Sequence, residues 1–381
     1  MRFIVNSQQL LRQLQSLGGV LSSSNTMPII NCYHFHLEDG KLTIKTTDLS
    51  TTLVATMEVE TPHMDKAEEV AIPSKMLLEV MKTFEDVPVT FNVDQESYSI
   101  SLQSGQGEYS LAGMDAETFP AMPVAETTGR VNMGSSALVE ALNKTLFATS
   151  NDDMHPMMTG VYCEMTPDGV TFVATDAHKL VRYRRKDTTC EESTNFILPK
   201  KPINVVRNIL AGRKEDTEVT LEYNNTNIFI SFDNFYIVCR LVDGRYPNYE
   251  AAIPKDNPRK LILDRQSFLN TLRRVSIFAS EATRQVRLSL TASQLEISAE
   301  DHEFSNKAHE SIPCQYEGEP MDIGFNAKFL TEMLSNLDTE QILIEMSHPS
   351  RAGIIFPYTE QPDEEQKEDI LMLVMPVMLA N

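Results

Sequence analysis

The stretch SQQLLRQLQSL at Ser7–Leu17 spaces its leucines three or four residues apart, which is the pattern of an amphipathic helix with one buried face. The pattern returns as SSALVEALNKTLFA at 135–148 and as RQSFLNTLRRVSIFA at 265–279, each time after a short extended segment. A repeat spacing of about 125–130 residues is too long for a solenoid and fits tandem domains. Corresponding positions in the three copies are held by Leu10, Leu138 and Phe268.

A second helical pattern follows in each third of the chain, within AIPSKMLLEVMKTF, ILPKKPINVVRNIL and GFNAKFLTEMLSNL. Between the two helical patterns, each third contains two alternating β-runs around a polar turn, and further strands follow the second helix. We therefore predict an α+β fold of three tandem domains, each with the order β–α–ββ–β–α–ββ–β and with two helices packed on antiparallel sheets. The predicted domains are 1–127, 128–253 and 254–381.

The composition argues against several classes of protein. Five cysteines are widely spaced without a CxxC pair, which is typical of reduced thiols in a cytoplasmic protein. No run approaches the roughly 18 apolar residues of a membrane span, and polar residues interrupt the apolar N-terminal stretch, unlike a signal peptide. Neither GxxxxGKS/T nor GxGxxG occurs, so no nucleotide-binding loop and no cofactor is predicted.

Charge is unevenly distributed along the chain. The net charge of -21 by itself argues against nucleic acid, whose partners are usually basic. The six predicted helical segments nevertheless carry a net charge of +7, so the remainder of the chain carries -28. Two interpretations stay open: the helices face a phosphate backbone, or they only have ordinary solvated faces. The segments are 7–17, 74–85, 135–148, 200–213, 265–281 and 327–337.

Six short motifs, spread over the whole chain, resemble those of one family. ATDAHKLVRY at 174–183 is similar to the ATDGHRL segment of the bacterial DNA polymerase III beta subunit, the DNA sliding clamp. The end LVMPVML at 373–379 is similar to the VMPMRL terminus of that family. The other matching segments are MPII at 27–30, TTDLS at 46–50, RLVDGRYPNYEAAIP at 240–254 and GFNAKFLTEML at 324–334.

The resemblance implies a non-catalytic protein of three DNA-clamp domains that closes into a ring as a homodimer, with helices lining the hole and sheets outside. It implies a processivity factor in DNA replication, whose ring encircles duplex DNA without reading its sequence and tethers the replicative polymerase. The clamp loader and repair proteins are further implied partners, which bind through short peptides. The competing hypothesis is a tandem-domain scaffold that binds proteins without encircling DNA.

Basic residues on the predicted helices form the candidate DNA-binding set. The resemblance implies that these helices face the duplex, where Lys and Arg would contact phosphates and leave the base sequence unread. The family's basic residue in the loop before its first-domain motif is Ser24 here, so that contact is not carried over to this chain. The candidates are Arg12, Lys75, Lys82, Lys144, Lys200, Lys201, Arg207, Arg213, Arg273, Arg274 and Lys328.

The resemblance also implies an apolar cleft for partner peptides between the second and third domains. The terminal LMLVMPVML is apolar and rich in methionine, which suits an adaptable binding surface, although alternate residues of a last strand would be buried. Departures from the family pattern, such as Ala177 for Gly, Lys179 for Arg and Met378 for Arg, predict an altered peptide preference. The candidates are Met158, Thr175, His178, Lys179, Leu180, Pro247, Asn326, Phe329, Leu373, Val374, Met375, Pro376, Val377 and Met378.

A ring contact is expected between the first domain of one copy and the third domain of another. Tyr109 and Leu111, on a predicted edge strand, would meet Ile277 and Phe278 of the second copy. Such a contact would cover a strand edge that is otherwise open to aggregation.

Two other residue pairs could suggest chemistry. Asp176 and His178 are spaced like part of a catalytic triad, but no serine in a nucleophile elbow accompanies them, so the end of a strand is favoured. His34 and His36 would share one face of a strand, but two ligands are too few for a zinc site. No catalytic residue and no metal site is therefore predicted.

Overall fold

The computed structural model describes residues 1–21, 26–62, 66–124, 126–360 and 367–379. Six α-helices lie in these ranges, and each begins where the repeated helical pattern predicts it. Two of them end before the predicted helical pattern does, and each is followed by a turn of 3₁₀-helix, at Leu146–Ala148 and at Ser276–Phe278. None of the helices in these ranges is both long and apolar enough to span a membrane. The helices are α1 (Ser7–Leu17), α2 (Ser74–Met81), α3 (Ser135–Thr145), α4 (Lys200–Ala211), α5 (Arg265–Val275) and α6 (Ala327–Ser335).

Strands surround the helices in the same order in the first two thirds, and the last third has one additional strand, β21. The first third contains β1 (Arg2–Asn6), β2 (Cys32–Glu38), β3 (Lys41–Thr47), β4 (Thr51–Glu58), β5 (Glu68–Pro73), β6 (Pro88–Val93), β7 (Ser99–Ser104) and β8 (Gly107–Ala112). The middle third contains β9 (Gly129–Gly134), β10 (Gly160–Thr166), β11 (Gly169–Thr175), β12 (Lys179–Arg185), β13 (Thr194–Pro199), β14 (Glu218–Tyr223), β15 (Asn227–Phe232) and β16 (Phe235–Arg240). The last third contains β17 (Arg259–Asp264), β18 (Gln285–Thr291), β19 (Gln294–Asp301), β20 (Asn306–Pro313), β21 (Gln315–Glu317), β22 (Met321–Asn326), β23 (Gln341–Met346), β24 (Gly353–Tyr358) and β25 (Glu368–Val374).

The predicted order contained too few strands between the two helices of each third. Sequence analysis missed β20 and β21 in the last third, β4 in the first third and β12 in the middle third. The strands β4 and β12 both lie inside a sheet with a neighbour on each side, and the first five residues of β4 are all buried. A strand that is covered on both faces lacks the alternation of apolar and polar residues, so no period of two reveals it.

The first compact unit comprises residues 1–139 and 201–241. Its larger sheet has eight strands in the order β5-β2-β3-β4-β16-β15-β14-β9, and its smaller sheet has the order β1-β6-β7-β8. The larger sheet joins strands of the first and middle thirds, because β4 pairs antiparallel with β16 from Thr51↔Cys239 to Ala55↔Phe235.

The second compact unit comprises residues 140–200 and 242–381. Its larger sheet has nine strands in the order β13-β10-β11-β12-β25-β24-β23-β17-β21, and its smaller sheet has the order β20-β19-β18-β22. Here β12 of the middle third pairs antiparallel with β25 of the last third, from Lys179↔Val374 to Arg185↔Glu368. The middle third is thus divided between the units, and the predicted boundaries near 128 and 254 stay predictions.

Three of the helices begin at a polar residue that caps them. The side chain of Asn6 accepts a hydrogen bond from Gln9 N, Asp264 accepts one from Ser267 N, and Asn326 accepts one from Lys328 N. Each cap satisfies an amide that the first helical turn leaves without an intrahelical partner, which contributes about 1 kcal/mol. These residues end the strand before each helix, so the repeated strand-to-helix transition is encoded locally.

Aromatic side chains form part of the core of the first unit. The rings of Phe3 and Phe91 stack with their centroids 4.7 Å apart, and Phe35 lies 6.2 Å from Phe91. Leu10 and Leu14 of α1 are also fully buried, as the helical pattern of leucines predicts. Burying each of these side chains stabilises the fold by roughly 1.5–3 kcal/mol before entropy costs.

The cysteines lie mainly in the core of the protein. Four of them are buried, and Cys314 is half-buried. Burial raises the pKa of the Cys32 thiol to about 11 and that of the Cys239 thiol to about 12. Both thiols therefore stay protonated near neutral pH, which makes them poor nucleophiles and poor metal ligands.

Candidate functional site

Four of the predicted DNA-binding residues are exposed on or at the end of a helix. Arg12 lies on α1, Lys75 on α2, Lys82 directly after α2, and Arg273 on α5. Within the part of the chain that the structure describes, none of the four lies within ion-pair distance of a carboxylate. Their charges are therefore open to an incoming anion, although Arg273 also donates a hydrogen bond of 3.3 Å to the Ser335 hydroxyl.

Other candidates are paired with acidic residues. Lys201 Nζ lies 2.6 Å from Asp48 Oδ2, Arg213 Nη2 lies 3.2 Å from Asp233 Oδ2, and Lys328 Nζ lies 3.8 Å from Glu332 Oε1. The three basic side chains are at least one-third exposed, and such surface pairs are worth only about 0–1 kcal/mol each. A phosphate could therefore replace the carboxylate at little cost.

Arg274 differs from these pairs because Glu310 binds it through two nitrogens. Its Nε donates to Glu310 Oε2 at 3.0 Å, and its Nη2 donates to Glu310 Oε1 and to the Thr271 hydroxyl. These hydrogen bonds raise the pKa of Arg274 and lower the pKa of Glu310. A two-point Arg–carboxylate bond is geometrically specific, so Arg274 is less available to DNA than Arg273.

Lys144 does not fit the predicted DNA-binding role. The residue is 8% exposed, and its ammonium donates to Asn336 O at 2.9 Å and to the carboxylate of Asp338. A buried ammonium keeps its charge only with such partners, so Lys144 connects α3 to the segment after α6. We therefore remove it from the DNA-binding set.

Lys200 and Arg207 are half-buried residues of α4. Lys200 Nζ donates to Asn151 Oδ1 at 2.8 Å, and Arg207 Nη2 donates to Asn208 Oδ1 at 3.1 Å. The pKa of Lys200 is lowered, mainly by burial and further by the nearby charge of Lys179. Neither side chain has a carboxylate within ion-pair distance among the described residues.

A cavity of about 700 Å³ lies along α1 and α4 in the first unit. Arg12 and Arg213 both line it, together with polar side chains that can donate hydrogen bonds, including Gln13 and Asn208. Two guanidinium groups beside amide donors favour an anion such as a phosphate oxygen, whereas the carboxylate of Glu58, which also lines the cavity, disfavours one. The six observed helices together carry a net charge of +7, as the predicted segments did.

In the second unit, a tight turn joins β11 to β12. Asp176 Oδ1 accepts hydrogen bonds from the amides of His178 and Lys179, and the Thr175 hydroxyl donates to Lys179 O at 2.7 Å. Ala177, where the family has Gly, adopts a φ of 72°, which an L-residue rarely takes. Asp176 is therefore occupied in shaping this turn, which leaves it no orienting role toward the His178 ring.

Lys179 is buried beneath the predicted cleft. Only 5% of the residue is exposed, and its ammonium lies 2.8 Å from Glu332, 3.1 Å from Asp176 and 4.6 Å from the centre of the Phe329 ring. The His178 ring is stacked with the same Phe329 ring, and the two ring centroids are 6.1 Å apart. Lys179 thus holds the turn against α6, and Phe329 and His178 form the accessible surface above it.

The terminal segment divides into a buried strand and an exposed end. Leu373 and Val374 are buried, whereas Met375 is 42% and Met378 76% exposed. The prediction that only alternate residues of β25 are buried is wrong. This strand lies between β12 and β24, and its residues Ile370–Val374 are all buried. Only the residues after Val374 can contribute side chains to a surface cleft.

Two backbone hydrogen bonds fix the exposed end of the chain. Met375 N donates to His178 O, and Val377 N donates to Gly324 O, both at 2.8 Å. A side chain at Gly324 would lie 2.5 Å from Val377 O, so only glycine permits this approach. The segment 375–378 therefore runs from the His178 turn to β22, beside Asn326 at the start of α6.

An apolar cluster lies below this surface. It contains the candidates Leu180 and Leu373, together with Tyr246, Ala352 and Ile354, which sequence analysis missed. Tyr246 could have been found from the quoted RYPNYE motif, where it precedes the exposed Pro247. Ala352 and Ile354 carry no local signal. Thr175 belongs to the turn itself, and Met157, not Met158, packs against the cluster.

The candidate ring-contact residues lie on two separate surfaces. β8 is an edge strand, as predicted, and Tyr109 on it is 44% exposed. Leu111 is only 9% exposed, so it serves mainly the core of its own chain. Ile277 is 77% and Phe278 41% exposed, and the nearby β20 is the edge of the smaller sheet of the second unit.

His34 and His36 share a carboxylate partner. His34 Nε2 lies 2.7 Å from Glu69 Oε2, and His36 Nδ1 lies 3.4 Å from Glu69 Oε1. Burial is the main cause that lowers the pKa of His34. Across the described ranges, no group of three or more His, Cys, Asp or Glu residues is arranged to hold a metal ion. Ser24 lies outside the described residues.

Family comparisons match the chain throughout. The N-terminal, central and C-terminal domains of the DNA polymerase III beta subunit match residues 1–123, 132–248 and 250–375. A curated beta sliding clamp from Synechococcus elongatus is 26% identical over 387 residues and covers 100% of both chains. One from Bacillus subtilis is 25% identical over 385 residues and covers 99% of both chains.

Solved structures have the same architecture. The DNA polymerase III subunit beta from Pseudomonas aeruginosa aligns over 100% of both chains with a TM-score of 0.91 and 25% identity. A sliding clamp from the same organism, bound to griselimycin, aligns over 100% of both chains with a TM-score of 0.90 and 25% identity. At this coverage all three domains are aligned.

Proposed function

This chain belongs to the DNA polymerase III beta subunit family of non-catalytic sliding clamps, and from that premise we propose that two copies close into a ring around duplex DNA. The ring then tethers the replicative polymerase and other DNA-processing proteins, which makes it a processivity factor in the cytoplasm. The observation that carries this proposal is the family match in all three thirds of the chain. The charge division supports it, because the helices are basic in a protein of net charge -21.

Retention on DNA would be topological and would need little affinity at any one contact. A phosphate contact from Lys or Arg is sequence-independent and weakens as salt rises. A closed ring cannot dissociate when such contacts break, and weak contacts also permit sliding. We propose Arg12, Lys75, Lys82 and Arg273 as the principal contacts, with Lys200, Lys201, Arg207, Arg213 and Lys328 as further contacts and Arg274 as a weak one.

The test is loading onto nicked circular DNA, followed by a wash at high salt. A ring should stay on the closed circle and should be lost once the circle is linearised. A protein that binds DNA only through charge would be lost by salt in both cases. A scaffold that binds proteins without DNA would not be retained on either, and that result would contradict the proposal.

The basic contacts have a matched test in the same assay. Arg12→Glu combined with Arg273→Glu should lower the amount loaded several-fold and should leave retention on the closed circle unchanged. Arg2→Glu combined with Lys260→Glu changes the charge equally at exposed positions on strands β1 and β17. If both double variants reduce loading equally, net charge and not helix position controls it.

We further propose that partner peptides bind over His178, Phe329, Met375 and Met378 in the second unit. Exposed methionines beside an aromatic ring give an apolar surface that can adapt to different side chains. We include Pro247, Asn326, Pro376 and Val377 in this proposed surface, with the buried residues Leu180, Leu373 and Val374 beneath it.

Replacing Met375 and Met378 together by Ala should weaken binding of a peptide from the replicative polymerase about tenfold to a hundredfold, because central apolar side chains dominate such interfaces. The measurement is a fluorescence titration. Met76→Ala is the control, since Met76 is 53% exposed on α2 of the first unit. Unchanged peptide affinity in the double variant would rule out this cleft.

A further inference from the structure

The turn at Thr175–Lys179 has a copy 128 residues earlier, at Thr47–Thr51. Asp48 Oδ1 accepts hydrogen bonds from the amides of Ser50 and Thr51, as Asp176 does in the later turn. The Thr47 hydroxyl donates to Thr51 O at 2.9 Å and accepts from the amide of Leu49. The first unit therefore contains the same turn that carries His178 in the second unit.

The strand beside the earlier turn is also repeated. Arg240 N donates to Ser50 O at 2.9 Å, just as Met375 N donates to His178 O at 2.8 Å. Arg240 is the last residue of β16, which pairs with β4 directly after the earlier turn. Met375 directly follows β25, which pairs with β12 directly after the later turn. Arg240 therefore holds the position in the first unit that Met375 holds in the second.

The first unit also contains an apolar cluster that corresponds to the one in the second unit. Phe119 packs against Ile29, Ile30 and Ala71, and its sequence Phe-Pro follows β8 as Tyr246-Pro247 follows β16. The Phe119 ring lies 4.9 Å from the His34 ring, as the Tyr246 ring lies 4.7 Å from that of Tyr162, which is 128 residues after His34. The first unit thus has the turn, the neighbouring strand end and the apolar floor of the proposed peptide cleft.

Leu49 stands out within this surface, which we call the first groove and define by Ile30, Leu49, Phe119 and Arg240. Its side chain is 61% exposed, although its φ of 75° is unfavourable for a branched residue. A non-glycine residue in this region costs of order 1 kcal/mol or more, and such strain clusters at binding sites. Leu49 therefore presents an apolar side chain to solvent at a cost to stability.

The first groove differs from the proposed cleft in its charge. Arg240 is exposed, and no carboxylate pairs with it among the described residues. The neighbouring charges of Lys201 and Asp48 neutralise each other at 2.6 Å. In a chain of net charge -21, an unpaired arginine beside an exposed leucine favours a carboxylate next to an apolar group.

We propose that the first groove binds an extended peptide segment of a protein partner, in which Asp or Glu precedes large apolar side chains. The carboxylate pairs with Arg240, and the apolar side chains contact Leu49 and Phe119. The inference rests on the proposed function, because it treats this groove as a counterpart of the peptide cleft. Each chain then has two peptide sites with different charge preferences.

The test uses the full chain with Met375→Ala and Met378→Ala, so that the cleft does not contribute. A fluorescein-labelled peptide of sequence GSEDLFG should bind this background, and a GSKKLFG peptide should bind it more weakly. Adding Arg240→Glu should weaken GSEDLFG about tenfold, because attraction is replaced by repulsion, and should strengthen GSKKLFG. Adding Arg2→Glu, an exposed charge reversal on another sheet of the same unit, should change neither.

Leu49→Gly gives a second variant that does not endanger the fold, since glycine adopts a positive φ without strain. It should weaken GSEDLFG several-fold while leaving the protein as stable as before or more so. The proposal fails if GSEDLFG does not bind the methionine double variant, or if Arg240→Glu and Leu49→Gly leave its affinity unchanged. The polymerase peptide, titrated against the unmodified chain in parallel, reports separately on the cleft.

Discussion

At the scale of single residues, Lys179 and Lys328 show how burial changes the role of the same side chain. Both lie near Glu332, but the Lys179 side chain is 6% exposed at 2.8 Å and the Lys328 side chain is 56% exposed at 3.8 Å. The first is enclosed by two carboxylates and an aromatic ring, whereas the second remains hydrated. The sequence places Lys179 at the end of a turn and Lys328 on a helix, and neither position by itself reveals how deeply the side chain is buried.

We expect Lys179→Met to lower the free energy of unfolding by about 2–4 kcal/mol, because it leaves two carboxylates of a partly buried network without their cation. Lys328→Met is the matched control and should cost less than about 0.5 kcal/mol, since its pair is solvent-exposed. Urea denaturation measures both. Equal losses in the two variants would show that burial of Lys179 is not what stabilises the turn.

At the scale of secondary-structure elements, the edge strands β8 and β20 are the open margins of the two smaller sheets. Unpaired edges invite association, and the exposed residues Ile277 and Phe278 give the second unit an apolar surface close to its edge. Tyr109 gives the first unit a comparable exposed ring, supported by an edge-on contact with Phe84 at 5.5 Å. These features support the proposed head-to-tail contact between two copies.

Ile277→Asp combined with Phe278→Asp should convert the dimer to monomer at micromolar concentration. Burying each apolar side chain contributes roughly 1.5–3 kcal/mol, and a carboxylate placed there would have to be desolvated. Light scattering measures the mass. Val124→Asp is the control, because Val124 is 82% exposed and lies outside the proposed contact. A double variant that remains dimeric would place the ring contact elsewhere.

The helices show how far local signals extend. The positions of α1, α5 and α6 follow from the spacing of apolar residues and from the caps Asn6, Asp264 and Asn326. At α3 the preceding residue is Gly134, and the amide of Ser136 instead donates to Asp216 Oδ1 at 2.8 Å. That cap comes from a distant segment, so the local sequence could not reveal it.

At the scale of the whole molecule, the repeat in the sequence and the compact units in the structure have different boundaries. Sequence analysis divides the chain into thirds, whereas each unit contains one third and a part of the middle third. Strand pairing causes this difference, because β4 pairs with β16 and β12 pairs with β25. The middle third therefore contributes four strands to each of the two large sheets.

A fragment of residues 128–253 should accordingly fail to fold as a soluble monomer. Without β4 and β25, the strands β16 and β12 would each expose an unpaired edge, and open edges of this kind promote aggregation. Size-exclusion chromatography and circular dichroism test this. The fragment 1–253 keeps the β4–β16 pairing and should retain more structure, and a stable monomer of 128–253 alone would contradict the prediction.

The sequence by itself determined the threefold repeat, the start of each helix, the basic character of the helices and, through short motifs, the family. These features depend on spacing within a dozen residues or on net composition, which one chain displays directly. Only the tertiary structure decided that Lys144, Lys179, Leu373 and Val374 are buried, and that Arg240 lies beside the turn that carries Leu49. Burial depends on what packs from elsewhere: Lys144 bonds to Asn336, 192 residues further along the chain.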